Sequence, residues 1–103
     1  MAKLMILYGE PKDPAAFRDY YMNTHIPILK QIAGIRAITI SEGPINTPEG
    51  PSSHHLVAVL TAESLPALMQ GMESPEGQRA AQDVPNFADG GAEVLIFDEQ
   101  HII

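Results

Sequence analysis

Hydrophobic side chains occupy both faces of the predicted β-strands in this chain, and no other feature limits its fold as strongly. Neighbouring side chains of a strand point to opposite faces of the sheet. In the segment His54–Thr61, one face carries Leu56, Ala58 and Leu60 and the other carries Val57 and Val59. The segments Lys3–Gly9 and Ala92–Phe97 follow the same pattern. A sheet of such strands needs apolar cover on both sides, because a water-facing side is normally polar.

Turn residues divide the chain into four strands and two helical regions. The predicted strands are Lys3–Gly9, Ile35–Gly43, His54–Thr61 and Ala92–Phe97, with one helical region after the first strand and one after the third. The order β-α-β-β-α-β is that of the split-βαβ, ferredoxin-like arrangement. We therefore predict an α+β fold in one domain spanning residues 1–103, with a four-stranded antiparallel sheet and helices on one face.

Capping residues set the predicted starts of the helices. Asp13 precedes Pro14, and Ser74 precedes Pro75 in the same way. Aspartate and serine are favoured N-caps, and proline at the first helical position lacks only an N–H that would have no partner there. Ser64 is predicted to cap a further helix that runs to about Met72.

Internal prolines and glycines set the other boundaries. Pro27 is predicted to interrupt the first helix, with a second helical piece from about His25 to Ile32 resuming at an angle. Gly34 is predicted to end that piece. Pro85 is predicted to bend or end the last helix, and the segment Pro44–Ser53 reads as the one substantial loop.

The uncovered face of the predicted sheet indicates a second copy of the chain. Large exposed apolar patches mark interfaces, and a two-fold-related copy is the simplest partner. We therefore predict a homodimer through the open sheet face. The alternative is that some of these residues lie at mildly exposed strand edges. The C-terminal segment Asp98–Ile103 ends in two isoleucines and is a candidate for exchange onto the partner.

Charge and composition exclude several classes of partner. The formal net charge is -7, and the chain has only six Lys and Arg residues. Nucleic acids and anionic membrane surfaces are bound by clustered basic residues, so neither is expected as a partner. The chain has no Cys for a disulfide or a thiolate site. No apolar run approaches the roughly 18 residues of a membrane span, and a cytoplasmic location is expected.

His25 is the leading candidate for acid–base chemistry. It lies at the predicted bend before Pro27, where a side chain faces a cleft more readily than on a continuous helix. Imidazole transfers protons near neutral pH without a cofactor. The alternative is structural: His25 hydrogen-bonds a carbonyl group freed by Pro27 and holds the bend.

Three tyrosines lie beside the cleft predicted between the first helix and the sheet. Tyr20 and Tyr21 point about 100° apart on a helix, so one is predicted to pack and the other to direct its hydroxyl into the cleft. Tyr8 ends the first strand. The alternative for these side chains is core packing with hydrogen-bonded hydroxyls.

Asp83 and Asn86 lie near the end of the last helix. Asp83 is a candidate to orient a histidine or to hold a substrate hydroxyl. The alternative is a surface carboxylate, with Asn86 serving the turn at Pro85. His54 and His55 are expected to face opposite sides of the sheet and are interpreted as the polar start of a strand.

No strong catalytic or cofactor signature is present. The chain has no phosphate-binding Gly-rich loop, no HExxH motif and no nucleophile elbow. Only His25, one strand histidine and Asp83 could be assembled into a metal site, which normally needs three or four ligands. His25 could supply an axial haem ligand, but nothing else indicates haem. We therefore predict no cofactor and no metal.

Several motifs together resemble the EthD family. They are Tyr8-Gly9-x-Pro11-x-Asp13, Phe17-x-x-Tyr20-Tyr21-x-x-x-His25-x-Pro27, Gly34-Ile35-Arg36, Ser74-Pro75-Glu76-Gly77 and Asp83-x-x-Asn86-Phe87. The resemblance covers Lys3 to Phe97, and the run ending in His25-x-Pro27 is its most specific part. It implies the dimeric α/β-barrel superfamily, in which ferredoxin-like protomers pack sheet against sheet.

The resemblance implies less about function than about fold. The EthD family often carries an oxidoreductase label, and related dimeric barrels include lactone isomerases, polyketide cyclases and dehydratases, cofactor-free monooxygenases and haem-degrading enzymes. His25 matches the His-x-Pro position of the family, and Asp83 and Asn86 match its later motif. The expected catalytic residues are His25, Tyr21 and Asp83, and the expected substrate-binding residues are Tyr8, Tyr20, Asn86 and Phe87.

Three hypotheses about function follow. The first is a small cofactor-independent enzyme in which His25 acts as acid or base on an aromatic, polyketide-like or lactone-like metabolite. The second is a non-catalytic accessory or ligand-binding protein of an oxidative degradation pathway. The third, with less support, is a haem-handling protein of the same fold.

Overall fold

A computed structural model describes all 103 residues and confirms the predicted ferredoxin-like architecture. The strands are β1 (Ala2–Gly9), β2 (Ile35–Ile40), β3 (Asn46–Thr47), β4 (Gly50–Pro51), β5 (His54–Ala62) and β6 (Ala92–Asp98). The main sheet has the order β2-β5-β1-β6, and all of its neighbouring strands are antiparallel. The short β3 and β4 form a separate hairpin inside the segment that was predicted as a loop.

The helical regions lie between β1 and β2 and between β5 and β6. They are α1 (Pro14–Tyr20), a π-helical turn (Tyr21–His25), α2 (Ile26–Leu29), α3 (Leu65–Glu73), α4 (Pro75–Asp83) and a 3-10 turn (Val84–Asn86). The three predicted caps are confirmed, since Asp13, Ser64 and Ser74 each accept a hydrogen bond from the N–H three residues later. No helix is both long enough and apolar enough to cross a membrane.

The prediction that Pro27 interrupts the first helix is wrong. The backbone stays helical from Tyr20 (φ -63°, ψ -45°) to Ile26 (φ -57°, ψ -44°). The chain instead widens into the π-helical turn, where the N–H of Ile26 donates to the carbonyl of Tyr21, five residues earlier. Pro27 follows in the first turn of α2, where the wider register accommodates the missing N–H.

Three other boundaries can be compared with the structure. The piece predicted to run from His25 to Ile32 ends earlier, because α2 stops at Leu29. The second strand ends at Ile40 rather than at Gly43. The expectation for Pro85 is confirmed, because α4 ends at Asp83 and the chain passes into the 3-10 turn.

The helix-facing side of the sheet forms the core. Its buried side chains include Leu4, Ile6 and Tyr8 from β1 and Leu56, Ala58 and Leu60 from β5. The residues between them on the opposite face are only half-buried: Met5, Leu7, Val57 and Val59. The predicted alternation is therefore present, and the open face is apolar at its centre, with Lys3 and Thr61 at one end and Glu93 beside Leu7 at the other.

The edge strand β6 is exposed on both of its faces. Val94 and Ile96 pair with Ile6 and Leu4, so they lie on the helix side, yet they are 53% and 42% exposed. Leu95 pairs with Met5 on the open face and is 45% exposed. The helices therefore do not cover the helix side of β6, and its other side belongs to the open face of the sheet.

Candidate active site

The π-helical turn places His25 inside the molecule, against the end of α4. The Nδ1 atom of His25 lies 2.9 Å from Oδ2 of Asp83. The two side chains are 1% and 8% exposed. Asp83 is therefore not a surface carboxylate, and the ring of His25 is bound by a side chain rather than by a carbonyl freed at Pro27.

The Asp83 carboxylate is the centre of a hydrogen-bond network. Besides His25, the hydroxyl of Tyr20 donates to Oδ1 over 2.5 Å and the amide of Asn86 donates to Oδ1 over 3.1 Å. Burial by itself would raise the pKa of Asp83, but the hydrogen bonds from Tyr20, His25 and Asn86 outweigh it and lower that pKa. Asp83 is therefore ionised at neutral pH.

The ionised Asp83 determines which nitrogen atom of His25 carries the proton. An ionised carboxylate only accepts hydrogen bonds, so a neutral imidazole beside it carries its proton on Nδ1. The other nitrogen, Nε2, then keeps a free lone pair, and it is buried with no hydrogen-bond partner in the protein. Burial lowers the pKa of His25, although Asp83 opposes the shift. The ring is therefore neutral at neutral pH, and Nε2 is its basic atom.

Five aromatic side chains surround this pair, and we call them the aromatic cluster: Tyr8, Phe17, Tyr20, Tyr21 and Phe87. Contacting rings within the cluster lie 5.4 to 5.7 Å apart between centroids. The His25 ring lies 4.6 Å from Phe87 and 5.4 Å from Tyr21. Every aromatic residue predicted at the site from the sequence is thus brought to one place.

Two hydroxyls of the aromatic cluster are buried without a hydrogen-bond partner, those of Tyr8 and Tyr21. Burial raises the pKa of Tyr21 to about 12. Burial, together with the nearby Tyr21 and Asp83, also raises the pKa of Tyr8. Both phenols therefore stay protonated at neutral pH and can donate a hydrogen bond to a buried oxyanion.

A groove of about 910 Å³ adjoins the cluster, between α1 and the end of the sheet. Phe17 and Tyr21 form one wall, and the start of β5 and the segment from Ile40 to Ser52 contribute to the rest. His25, Asp83 and Tyr8 do not line this groove. Tyr21 is therefore the predicted site residue that lies both on the groove and against the His25 ring.

A smaller cavity of about 280 Å³ lies on the other side of the cluster. Its lining includes Tyr20, Asn86 and Phe87. Of the four residues predicted to bind substrate, these three line the smaller cavity, Tyr8 lies in the closed interior, and none lines the groove. The sequence predicted one cleft, whereas the structure has a cluster with a groove on one side and this cavity on the other.

The start of β5 is not the regular strand start that was predicted from the sequence. The pairing shifts between Tyr8 and Gly9, which face Leu56 and His54, so His55 has no paired residue in β1. Such a bulge changes the direction of a side chain. The ring of His55 packs edge-on against Phe17 at 5.1 Å, and both His54 and His55 line the groove.

Sequence reasoning therefore missed His55 and its carboxylate neighbour as site residues. The Nδ1 atom of His55 lies 3.5 Å from Oε2 of Glu10. The only signal in the sequence was the pair of adjacent histidines, which a regular strand would have placed on opposite faces. No group of three or more His, Asp or Glu side chains converges on a common point in the structure.

Comparisons with known proteins find matches over nearly the whole chain. The model of the EthD domain matches residues 9–91. The chain is 38% identical to a protein of Rhodococcus erythropolis described as an uncharacterized 11.0 kDa protein in the thcB-thcC intergenic region, over 100% of this chain and 99% of the other. It is 31% identical to the crystal structure of an ethyl tert-butyl ether D family protein from Bacillus halodurans C-125, with a TM-score of 0.88 and coverage of 97% and 99%.

Two more distant structures share the fold. SnoaB from Streptomyces nogalater, a cofactor-independent oxygenase, is 13% identical with a TM-score of 0.68 and coverage of 99% and 95%. A dimeric ferredoxin-like protein of unknown function from Jannaschia sp. CCS1 is 19% identical with a TM-score of 0.69 and coverage of 96% and 100%.

Proposed function

Because the chain belongs to the EthD family, we propose that it is a cofactor-independent enzyme in which His25 removes a proton from an aromatic, polyketide-like or lactone-like metabolite. The observation that carries the proposal is the buried His25–Asp83 pair, whose Nε2 atom has no partner in the protein. A basic nitrogen held in one tautomer by a carboxylate is the arrangement that general base catalysis requires.

The proton transfer balances within the site. The substrate gives a proton from a C–H or O–H group to Nε2 of His25, and an enolate or phenolate forms. Asp83 stabilises the resulting imidazolium, because its carboxylate lies 2.9 Å from Nδ1. Tyr21 donates a hydrogen bond to the anion, since its pKa of about 12 keeps it protonated.

The anion then determines the type of reaction. Reprotonation at another atom gives an isomerisation, and loss of a hydroxyl group gives a dehydration. Reaction of the anion with molecular oxygen gives an oxygenation without a protein cofactor. The fold is compatible with the last type, because SnoaB, a cofactor-independent oxygenase, shares it.

The active assembly in this proposal is a homodimer formed through the open sheet face. Half-buried apolar side chains on that face and the uncovered strand β6 support it. The dimeric ferredoxin-like structure from Jannaschia is consistent with it. The C-terminal Ile102 and Ile103 are 82% and 112% exposed and remain available to a partner subunit.

The second candidate function is a non-catalytic binding protein that holds a hydrophobic intermediate. It is favoured by one observation: His25 and Asp83 do not line the groove. In that case the His25–Asp83 pair holds α4 against the π-helical turn, and a ligand binds in the groove without being converted. This candidate predicts ligand affinity that does not depend on His25.

The test compares His25→Asn with the wild-type protein on two carbon acids, anthrone and α-angelica lactone. Asparagine keeps an N–H near the position of Nδ1 and removes the basic Nε2 atom. We expect wild-type turnover of at least one probe, followed by absorbance and oxygen uptake, and a loss of roughly 10²–10⁴-fold in kcat for His25→Asn.

The matched control is His101→Asn, which removes a histidine from the exposed C-terminal tail. Thermal unfolding of both variants separates a lost base from a lost fold. Equal turnover by His25→Asn and the wild type would remove His25 as the catalytic base. Binding of both probes without turnover by the wild type would favour the binding protein.

A further inference from the structure

We infer that substrate reaches His25 through the smaller cavity, and that the ring of Phe87 closes this route in the unliganded protein and limits the substrate to a single ring. This inference rests on the proposed function and adds the entrance to the site and the size of the substrate. The Nε2 atom of His25 is buried. A substrate can therefore reach this basic atom only after a neighbouring side chain has moved.

Two aromatic rings pack on the ring of His25, those of Tyr21 and Phe87. Their centroids lie 5.4 and 4.6 Å from that of His25. Tyr21 lines the groove, and Phe87 lines the smaller cavity. A substrate that enters from the groove therefore has to displace Tyr21, whereas one that enters from the smaller cavity has to displace Phe87.

The backbone makes Phe87 the easier of the two side chains to displace. Tyr21 belongs to the π-helical turn, and its carbonyl group accepts the hydrogen bond from Ile26. On a helix, one side-chain rotamer is excluded because it collides with the preceding turn. Phe87 lies just after the 3-10 turn and has left the helical conformation (φ -134°, ψ -20°). Its side chain also carries no polar atom, so its movement breaks no side-chain hydrogen bond.

The contacts of Phe87 explain why the route is closed without a ligand. Its ring packs against every other member of the aromatic cluster, at centroid distances of 5.4 to 5.6 Å. Such aromatic pairs stabilise the closed position. An unsaturated ring of similar size that takes the place of Phe87 can make the same contacts, which offsets the cost of displacing it.

The size and charge of the smaller cavity indicate the kind of substrate. Small-molecule sites range from roughly 300 to 1,000 Å³, and this cavity has about 280 Å³. It therefore suits one ring better than several. Its lining carries two carboxylates, Asp13 and Asp89, and one amine, Lys12. An acidic lining does not attract an anion, so the expected substrate is a neutral single-ring compound, such as an unsaturated lactone or a phenol.

The test measures how fast diethyl pyrocarbonate acylates each histidine at neutral pH, with peptide mass spectrometry to identify the site. The reagent reacts with a neutral imidazole nitrogen, so it reports whether Nε2 of His25 can be reached. His101 in the exposed tail is the internal reference. In the wild type we expect His25 to react at least about tenfold more slowly than His101, because a buried group reacts only during local opening of the fold.

We expect Phe87→Ala to raise the acylation rate of His25 by about tenfold or more, because the route no longer has to open. Phe87→Leu should give a smaller increase, and it is measured as well because the alanine variant is the less stable of the two. The matched control is Phe17→Ala. Phe17 also lines the smaller cavity but does not pack on the His25 ring, so this variant should leave the rate of His25 unchanged.

Urea unfolding of each variant shows that the rates compare folded proteins. Equal reactivity of His25 and His101 in the wild type would overturn the inference, because the route would already be open. An unchanged rate of His25 in folded Phe87→Leu and Phe87→Ala would also overturn it. So would equal increases in Phe17→Ala and Phe87→Ala, which would indicate general loosening of the cluster.

Turnover separates this inference from the proposed function. The wild type should convert α-angelica lactone, which has one ring, and not anthrone, which has several fused rings; conversion of anthrone would overturn the limit to one ring. If Phe87 controls the acylation of His25 but the wild type converts neither probe, the route holds and the proposed catalysis is wrong. If turnover of the lactone depends on His25 but acylation of His25 does not depend on Phe87, only the present inference is wrong.

Discussion

The three tyrosines of the chain lie close together, since Tyr8, Tyr20 and Tyr21 all belong to the aromatic cluster. Tyr8 and Tyr21 have raised pKa values because they are buried. The pKa of Tyr20 is raised chiefly by its hydrogen bond to the ionised Asp83. At the scale of single residues, we therefore expect the tyrosines of the folded protein to ionise at higher pH than ordinary tyrosines.

We predict that the native protein forms little tyrosinate around pH 10.0, where an ordinary tyrosine is half ionised, and that Tyr21 ionises only near pH 12. The measurement is near-ultraviolet absorbance during an alkaline titration. The same titration in concentrated urea should restore three ordinary tyrosines. A native curve that matched the curve in urea would contradict the burial of these hydroxyls.

The same shifts determine the sign of the stability change. A raised pKa means that the fold favours the protonated phenol, so the stability it contributes is complete below pH 10.0 and is lost as the pH rises through about 12. Unfolding free energy should therefore fall over that alkaline range. On the acid side, the lowered pKa values of His25 and Asp83 act in the opposite direction, and their contribution is lost as the pH falls.

The sequence pointed to residues that the structure brings together, and their roles in a site stay predictions. The EthD-like motifs pointed to His25, Asp83 and the aromatic side chains, and the structure places them in contact. The separation of His25 from the groove was not predictable, because it depends on how the π-helical turn rotates one side chain inward. His55 was missed because its direction depends on the register with β1.

At the scale of elements, the approach of α4 to α3 determines where Asp83 lies. Gly77, in the first turns of α4, is buried against the end of α3. A Cβ atom at this position would collide with the backbone carbonyl oxygens of Gly71 and Met72. Glycine is therefore required here for the close approach, and Asp83 lies at the other end of the same helix.

We predict that Gly77→Ala destabilises the protein by about 1–3 kcal/mol, which is the usual cost of overpacking a core. Alanine is the better helix former, so a loss of stability would come from the collision. Urea unfolding measures the change, and the imidazole signals of His25 should shift with it as α4 moves. The control is Gln82→Ala on the exposed face of α4, for which we expect almost no change. A stabilised Gly77→Ala variant would contradict the close approach.

The boundaries of the elements were predictable where local chemistry sets them. Asp13, Ser64 and Ser74 cap their helices through a hydrogen bond three residues away, and such a bond depends only on the local sequence. Pro27 shows the limit of local reasoning. The sequence indicates that a hydrogen bond is missing, but not whether the chain breaks or widens into a π-helical turn to absorb it.

At the scale of the whole molecule, the order of the strands explains both what was predicted and what was missed. Alternating apolar residues predicted the four-stranded sheet and its apolar open face. They did not predict that Val94 and Ile96, on the helix side of β6, would also be exposed. That exposure follows from the position of β6 at the edge of the sheet, which depends on the complete topology.

The proposed dimer uses the open face, and β6 offers a test with a variant on each side of one strand. Leu95 lies on the open face beside Met5, whereas Val94 lies on the helix side beside Ile6. Both are well exposed in one protomer, at 45% and 53%. A lysine at either position therefore adds a charge without filling the core of the protomer, and only the lysine at Leu95 enters the proposed interface.

We predict that the wild-type protein at micromolar concentration has twice the 11.2 kDa mass of the chain in native mass spectrometry. Leu95→Lys should shift the protein to the monomer, because a buried unpaired charge is strongly unfavourable, while Val94→Lys should stay dimeric. A monomeric wild type would contradict the dimer itself. Dissociation by Val94→Lys alone would instead place the interface on the helix side of β6, where the uncovered Val94 and Ile96 lie.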